Sequence, residues 1–195
     1  MKYSLWDREW KSFFISWDEW VFNIKATSSW IDKNKLNLDW VEEIPYITRT
    51  DVNNWINFFI PKNQSEKYGM NHWNVITIWL DTQTVFYQPS KFYTWQNIQV
   101  LSWNVLNKRI SLFIIALLKI QLKKFNWWWN GATLGRLSRT KILLPVDSYW
   151  NPDYKFMEDF IKEREKNKRE KYRKYVENII NTLGENWDFR ERAIK

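Results

Sequence analysis

Residues 104–125 place Leu106, Ile110, Phe113, Ile114, Leu117, Leu118, Ile120 and Leu122 around most of a helical circumference. A helix apolar on so many sides cannot lie on a surface and must be enclosed by other elements. The flanking sequence offers strands to enclose it. Phe13, Phe14 and Ile15, then Val21, Phe22 and Ile24, form short apolar runs within residues 11–24. Residues 44–50 are extended around Pro45, and residues 57–60 form a strand that stops at Pro61. Residues 62–71 are a polar loop. Residues 75–80 and 84–88 flank Asp81, Thr82 and Gln83 as a hairpin, residues 98–101 form another strand, and residues 141–146 a last one closed near Pro145. Residues 126–135 read as a loop.

After this mixed body comes a second long helix. Pro152, following Asn151, suits a first helical turn. Phe156, Met157, Phe160 and Ile161 share one face; residues 162–171 hold no apolar side chain; Tyr172, Tyr175, Val176, Ile179, Ile180 and Leu183 then restore a stripe, and Gly184 marks a stop. A polar middle between two apolar ends describes a spacer arm that docks at both, with an ordinary solvated surface helix as the simpler alternative. The division expected is residues 1–155 as one domain, 156–184 as a helical spacer or dimerisation arm, and 185–195 as a tail.

The formal net charge is +8 and the pI about 9.5, which favours a polyanionic partner. Its distribution says more. Residues 82–146 contain no Asp or Glu, yet hold nine cations: Lys91, Lys108, Arg109, Lys119, Lys123, Lys124, Arg136, Arg139 and Lys141. Such a span attracts phosphates whatever the base sequence, although some of these lysines would also suit the C-terminal end of the 104–125 helix. Base readout needs Arg or Lys for guanine and Asn or Gln for adenine. Those groups stand in turn contexts at Thr48-Arg49-Thr50, Asn53-Asn54, Gln83, Gln88 and Arg136–Arg139, where ordinary turn roles are the alternative.

Several classes of chemistry are excluded. There is no cysteine, hence no disulfide or thiolate metal site, and the single histidine, His72, cannot build a histidine metal centre. No GxSxG elbow, phosphate-binding glycine loop or zinc spacing occurs. The adjacent carboxylates Asp18-Glu19, Glu42-Glu43 and Glu158-Asp159 point apart, so none forms an acid/base dyad. Asp81 and Asp147 with Lys141 would be the acids and lysine of a compact nuclease, the weakest alternative. No catalytic residue, metal or cofactor is expected. The N-terminus lacks the apolar segment of a signal peptide. The longest apolar run, residues 112–118, is far short of the roughly 20 residues a bilayer requires. A cytoplasmic protein without a membrane partner is expected.

In order along the chain, Trp10-x-x-Phe13-x-Ile15, IPYITRTDVNN (residues 44–54), VITI, VFYQPSKF (85–92), GRLSRTKILLPV (135–146) and NPDYKFMEDFIK (151–162) resemble the target-recognition domains of type I restriction-modification specificity subunits and of BcgI-like type II enzymes. The resemblance covers roughly residues 8–165 and rests on the combination, not on any one segment. It implies an α+β domain that binds double-stranded DNA, followed by a helix that pairs with a second such unit and docks modification (methyltransferase) subunits, in which the chemistry lies. On that expectation the DNA-contacting residues are Thr48, Arg49, Thr50, Asn53, Asn54, Gln88, Lys108, Arg109, Lys123, Lys124, Arg136, Arg139 and Lys141.

One feature departs from the pattern. The chain holds 16 Trp and 4 Gly, where average usage of about 7% would supply near a dozen more glycines. Trp30, Trp55, Trp73, Trp79, Trp95, Trp150 and the run Trp127–Trp129 stand in turn contexts where these domains would carry glycine, which reaches positive φ cheaply. Trp10 and Trp187 fit as tryptophan. Two readings remain open: codons that are UGA and decoded as glycine in the source, or genuine indoles that stack bases of a single-stranded nucleic acid or sugars of a carbohydrate.

Overall fold

A computed structural model describes residues 2–16, 21–27, 29–39, 41–48, 52–79, 81–125 and 133–193. Its strands are β1 (Trp10–Phe14), β2 (Asn23–Ala26), β3 (Glu42–Ile47), β4 (Ile56–Pro61), β5 (Val75–Trp79), β6 (Val85–Gln88), β7 (Tyr93–Thr94), β8 (Ile98–Ser102) and β9 (Lys141–Pro145); its helices are α1 (Lys108–Leu122), α2 (Leu134–Ser138) and α3 (Tyr154–Ala193). The fold is α+β, as expected.

A four-stranded antiparallel sheet, order β2-β8-β5-β6, divides the interior. Every residue of β5 is buried, because the strand is internal and both faces of its sheet are covered. Side chains alternate along a strand, so Ile76 and Ile78 join α1 and β9 in the largest core, while Val75 and Trp79 face a second cluster with Ile47, Trp55, Phe92, Ile98 and Val100. A second sheet, order β4-β3-β7, encloses Ile31, Tyr46, Ile60 and Tyr93. A two-stranded antiparallel pair, β1-β9, completes the largest core.

The expected buried helix is α1. Its N-cap, Asn107, accepts hydrogen bonds at Oδ1 from the backbone N–H of Arg109 (2.9 Å) and Ile110 (3.0 Å). Ile110, Phe113, Ile114, Ile115, Leu118 and Leu122 are buried, whereas Ile120 faces outward.

α3 begins inside the body. Asp153 Oδ1 accepts the Phe156 N–H at 2.9 Å, and Phe156 and Met157 are buried in the α1 core. Phe113 sits edge-on to Phe160, with ring centroids 5.6 Å apart, and to Phe156 at 6.5 Å. The expected division before residue 156 therefore falls within a shared core. The helix continues through Gly184 to Ala193. One glycine costs a helix only about 1 kcal/mol relative to alanine, and no proline follows it. At 40 residues, α3 is about 60 Å long.

Candidate nucleic-acid interface

The turn between β3 and β4 is closed by a hydrogen bond from the Thr48 N–H to the Trp55 carbonyl, 3.1 Å. Asn53, Asn54 and Trp55 follow one another at φ 52°, 56° and 67°. Left-handed backbone suits asparagine, whose short amide bonds locally. Here that amide is anchored: Asn54 Nδ2 donates to the Tyr87 carbonyl (2.7 Å) and to Gln88 Oε1 (3.2 Å). Gln88 Nε2 donates back to the Asn54 carbonyl (3.3 Å) and to Thr77 Oγ1 (3.0 Å). Gln88, expected among base-contacting groups, is only 2% exposed, and both ends of its amide are bonded within the protein. It positions the turn.

β6 links this turn to α1. The Trp55 ring lies 5.2 Å from that of Phe86, and Lys119 Nζ lies 5.6 Å from the Phe86 centroid. The Asn53–Asn54 turn and the C-terminal half of α1 thus share the β6 edge. Lys123, the C-cap residue of α1, and Lys124 follow one turn after Lys119. Lys124 Nζ donates to Gln121 Oε1 at 3.2 Å. Beyond them come α2, with Arg136 and Arg139, and Lys141 at the start of β9, its Nζ 4.5 Å from the Phe14 centroid. Among the described residues, Lys123, Lys124 and Lys141 have no carboxylate at ion-pairing distance.

The cationic span does not form one surface. Lys108 and Arg109 open α1, about 22 Å from Lys123 at its other end. Arg109 is met by acids from elsewhere in the chain: its Nε lies 2.9 Å from Glu165 and its Nη1 3.8 Å from Glu158, both on α3. This pairing offsets a cation placed unfavourably in the first turn of a helix. With Lys108, Lys168 and Arg169, these residues line a cleft of about 620 Å³ between α1 and α3.

Arg49, Thr50 and the run Trp127–Trp129 lie outside the described residues. Asp147 serves a turn, its Oδ1 accepting the N–H of Tyr149 (2.9 Å) and Asn151 (3.0 Å). Among the described residues there is no metal-holding cluster of His, Asp or Glu, and no helix long and apolar enough to cross a membrane. The exposed tryptophans are spread over separate elements, with Trp6 in a turn before β1, Trp73 before β5 and Trp150 after β9. Trp73 stands beside Lys91, whose Nζ is 5.3 Å from its ring. The anchoring role of Gln88 was not evident in the sequence; the signal available was its position at the end of a hairpin strand, next to a turn rich in asparagine.

The family model of the type I restriction modification DNA specificity domain matches residues 8–172. The fold is similar to that of a solved structure describing complex assembly and conformational transition of the type I R-M system, with TM-score 0.56 and 14% identity over 86% of this chain and 42% of the other. A type I restriction-modification S subunit from M. genitalium gives TM-score 0.48 and 14% identity, over 76% of this chain and 37% of that one. The chain therefore spans about two-fifths of the length of these structures. No curated protein matches it.

Proposed function

Because the chain belongs to the type I restriction modification DNA specificity domain family, we propose that it reads double-stranded DNA sequence on behalf of partner subunits that carry the methyltransferase and nuclease chemistry. The observation that carries this reading is the shared β6 edge, which brings the anchored Asn53–Asn54 turn beside the cationic end of α1. Lys123, Lys124, Arg136, Arg139 and Lys141 hold phosphates. Thr48, Arg49, Thr50 and Asn53 supply the groups that meet base edges, and Asn54, expected among them, instead holds the turn through its amide bonds to Tyr87 and Gln88. Lys108 lies at the far end of α1 and reaches DNA only if the duplex extends that way.

α3 serves as the arm. Its distal stretch exposes Tyr172, Tyr175, Ile179, Ile180 and Leu183, an apolar stripe that pairs with a second specificity unit. The modification subunit docks on the assembled pair.

Binding to a duplex library at rising salt tests the reading. Observed affinity falls steeply with salt for every sequence, and one short or bipartite site survives best. Equal loss for all duplexes, or tighter binding to single strands, would reject it.

A further inference from the structure

We propose that positions 55 and 150 are glycine in the protein as its source makes it, their codons being UGA and read there as glycine. Among the described residues seven non-glycine positions hold positive φ: Asn53, Asn54, Asn74, Gln83, Asn97, Trp55 and Trp150. Asparagine tolerates that region; a bulky aromatic side chain there is an outlier. No described glycine adopts positive φ. Gly135 has open space where a Cβ would stand, so nothing near that position demands glycine. Glycine is thus absent where the backbone calls for it, and tryptophan occupies two of those places.

Trp150, at φ 62°, closes the turn after β9. Its N–H donates to the Asp147 carbonyl at 3.1 Å, and the Asp147 N–H donates to the Asn151 carbonyl at 2.9 Å. The backbone geometry is therefore fixed on both sides of it. The indole is 57% exposed and offsets the strain with little burial. Trp55, at φ 67°, ends three successive left-handed residues. Its ring is fully buried, but its Nε1–H has no acceptor, and an unmet buried donor is costly. Trp10 is the contrast. It lies in strand β1, its ring stacks on Phe113 at 6.3 Å, and its Nε1 donates to the Leu5 carbonyl at 2.9 Å. The same criteria leave it as tryptophan. Glycine at 55 removes the Trp55–Phe86 ring contact but leaves Asn54 bonded to Tyr87 and Gln88 on β6, so the DNA reading rests on those bonds and does not fail with the indole.

The test is the gene's codons together with peptide mass spectrometry of the protein from its native source. We expect UGA and glycine at 55 and 150, and UGG and tryptophan at 10. Tryptophan in the native peptide at 55 or 150 overturns the assignment at that position, whatever the codon. As a second readout, Trp150→Gly in a recombinant chain raises the thermal midpoint by about 2–4 °C; an unchanged or lower midpoint would contradict the strain on which the assignment rests.

Discussion

Gln88 and Asn54 bind each other in both directions: Asn54 Nδ2 donates to Gln88 Oε1 at 3.2 Å, and Gln88 Nε2 donates to the Asn54 carbonyl at 3.3 Å. A loop held this way keeps its shape before any ligand arrives. Gln88→Leu takes the Gln88 amide from the half-buried Asn54 carbonyl and leaves Asn54 Nδ2 with the Tyr87 carbonyl alone, and should cost about 1–3 kcal/mol, read by urea denaturation. Sequence discrimination should fall more than overall affinity. An unchanged stability would mean the pair contributes nothing.

The two ends of α1 should separate in a salt titration. Lys123→Gln and Lys124→Gln should each flatten the slope of log affinity against log salt by about one unit. Arg109→Gln should leave that slope alone, because Glu165 and Glu158 already meet its charge. Its stability cost should stay within about 1 kcal/mol, since the Arg109 side chain is a third exposed. A steep change for Arg109→Gln would place DNA at the α1–α3 cleft instead.

Phe113 touches the rings of Trp10, Phe156 and Phe160, and so joins β1, α1 and the base of α3. Phe113→Ala should destabilise by about 3–5 kcal/mol. Protease cleavage near the base of α3 should rise with it. Loss of stability with an intact α3 base would show that the helix docks through other contacts.

Alkaline pH should unfold the protein early. Burial, with the Asp32 charge adding to it, pushes the Tyr46 hydroxyl up to about 12, and burial pushes Tyr154 up to about 12 against a hydrogen bond from Trp103. The folded state then keeps protons that the unfolded chain releases above its ordinary value of about 10, so stability falls as pH rises from about 10 to 12. Tyr154→Phe should remove part of that fall, measured as the denaturation midpoint at pH 9 against pH 11.

Much of this architecture is written in local pattern. The crowded apolar circumference of α1, the largely apolar β5 and the hairpin around Gln83 follow from periodicity and turn residues, and Gln83 does take φ 58°. β7 and α2 left weaker signals: two residues paired in parallel with Tyr46 and Ile47, and five residues whose Thr133 cap looked like loop. The charge reading departs from the structure at Arg109, for a different reason. An acid-free stretch of sequence says nothing about acids arriving in space, and Glu158 and Glu165 reach Arg109 from more than 45 residues away. Gln88 shows the same limit, since a polar residue near a turn gives no sign that its strand buries it.

The β1–β9 pair sets Trp10 opposite Pro145, and Glu163 on α3 accepts the backbone N–H groups of Lys2 and Tyr3. The first strand and the root of the arm are therefore sealed side by side, on a seam separate from the β6 edge. Everything between them is a closed excursion that leaves and returns at one spot. Such a layout lets the segment between them be exchanged as a unit while α3 beneath it keeps its place.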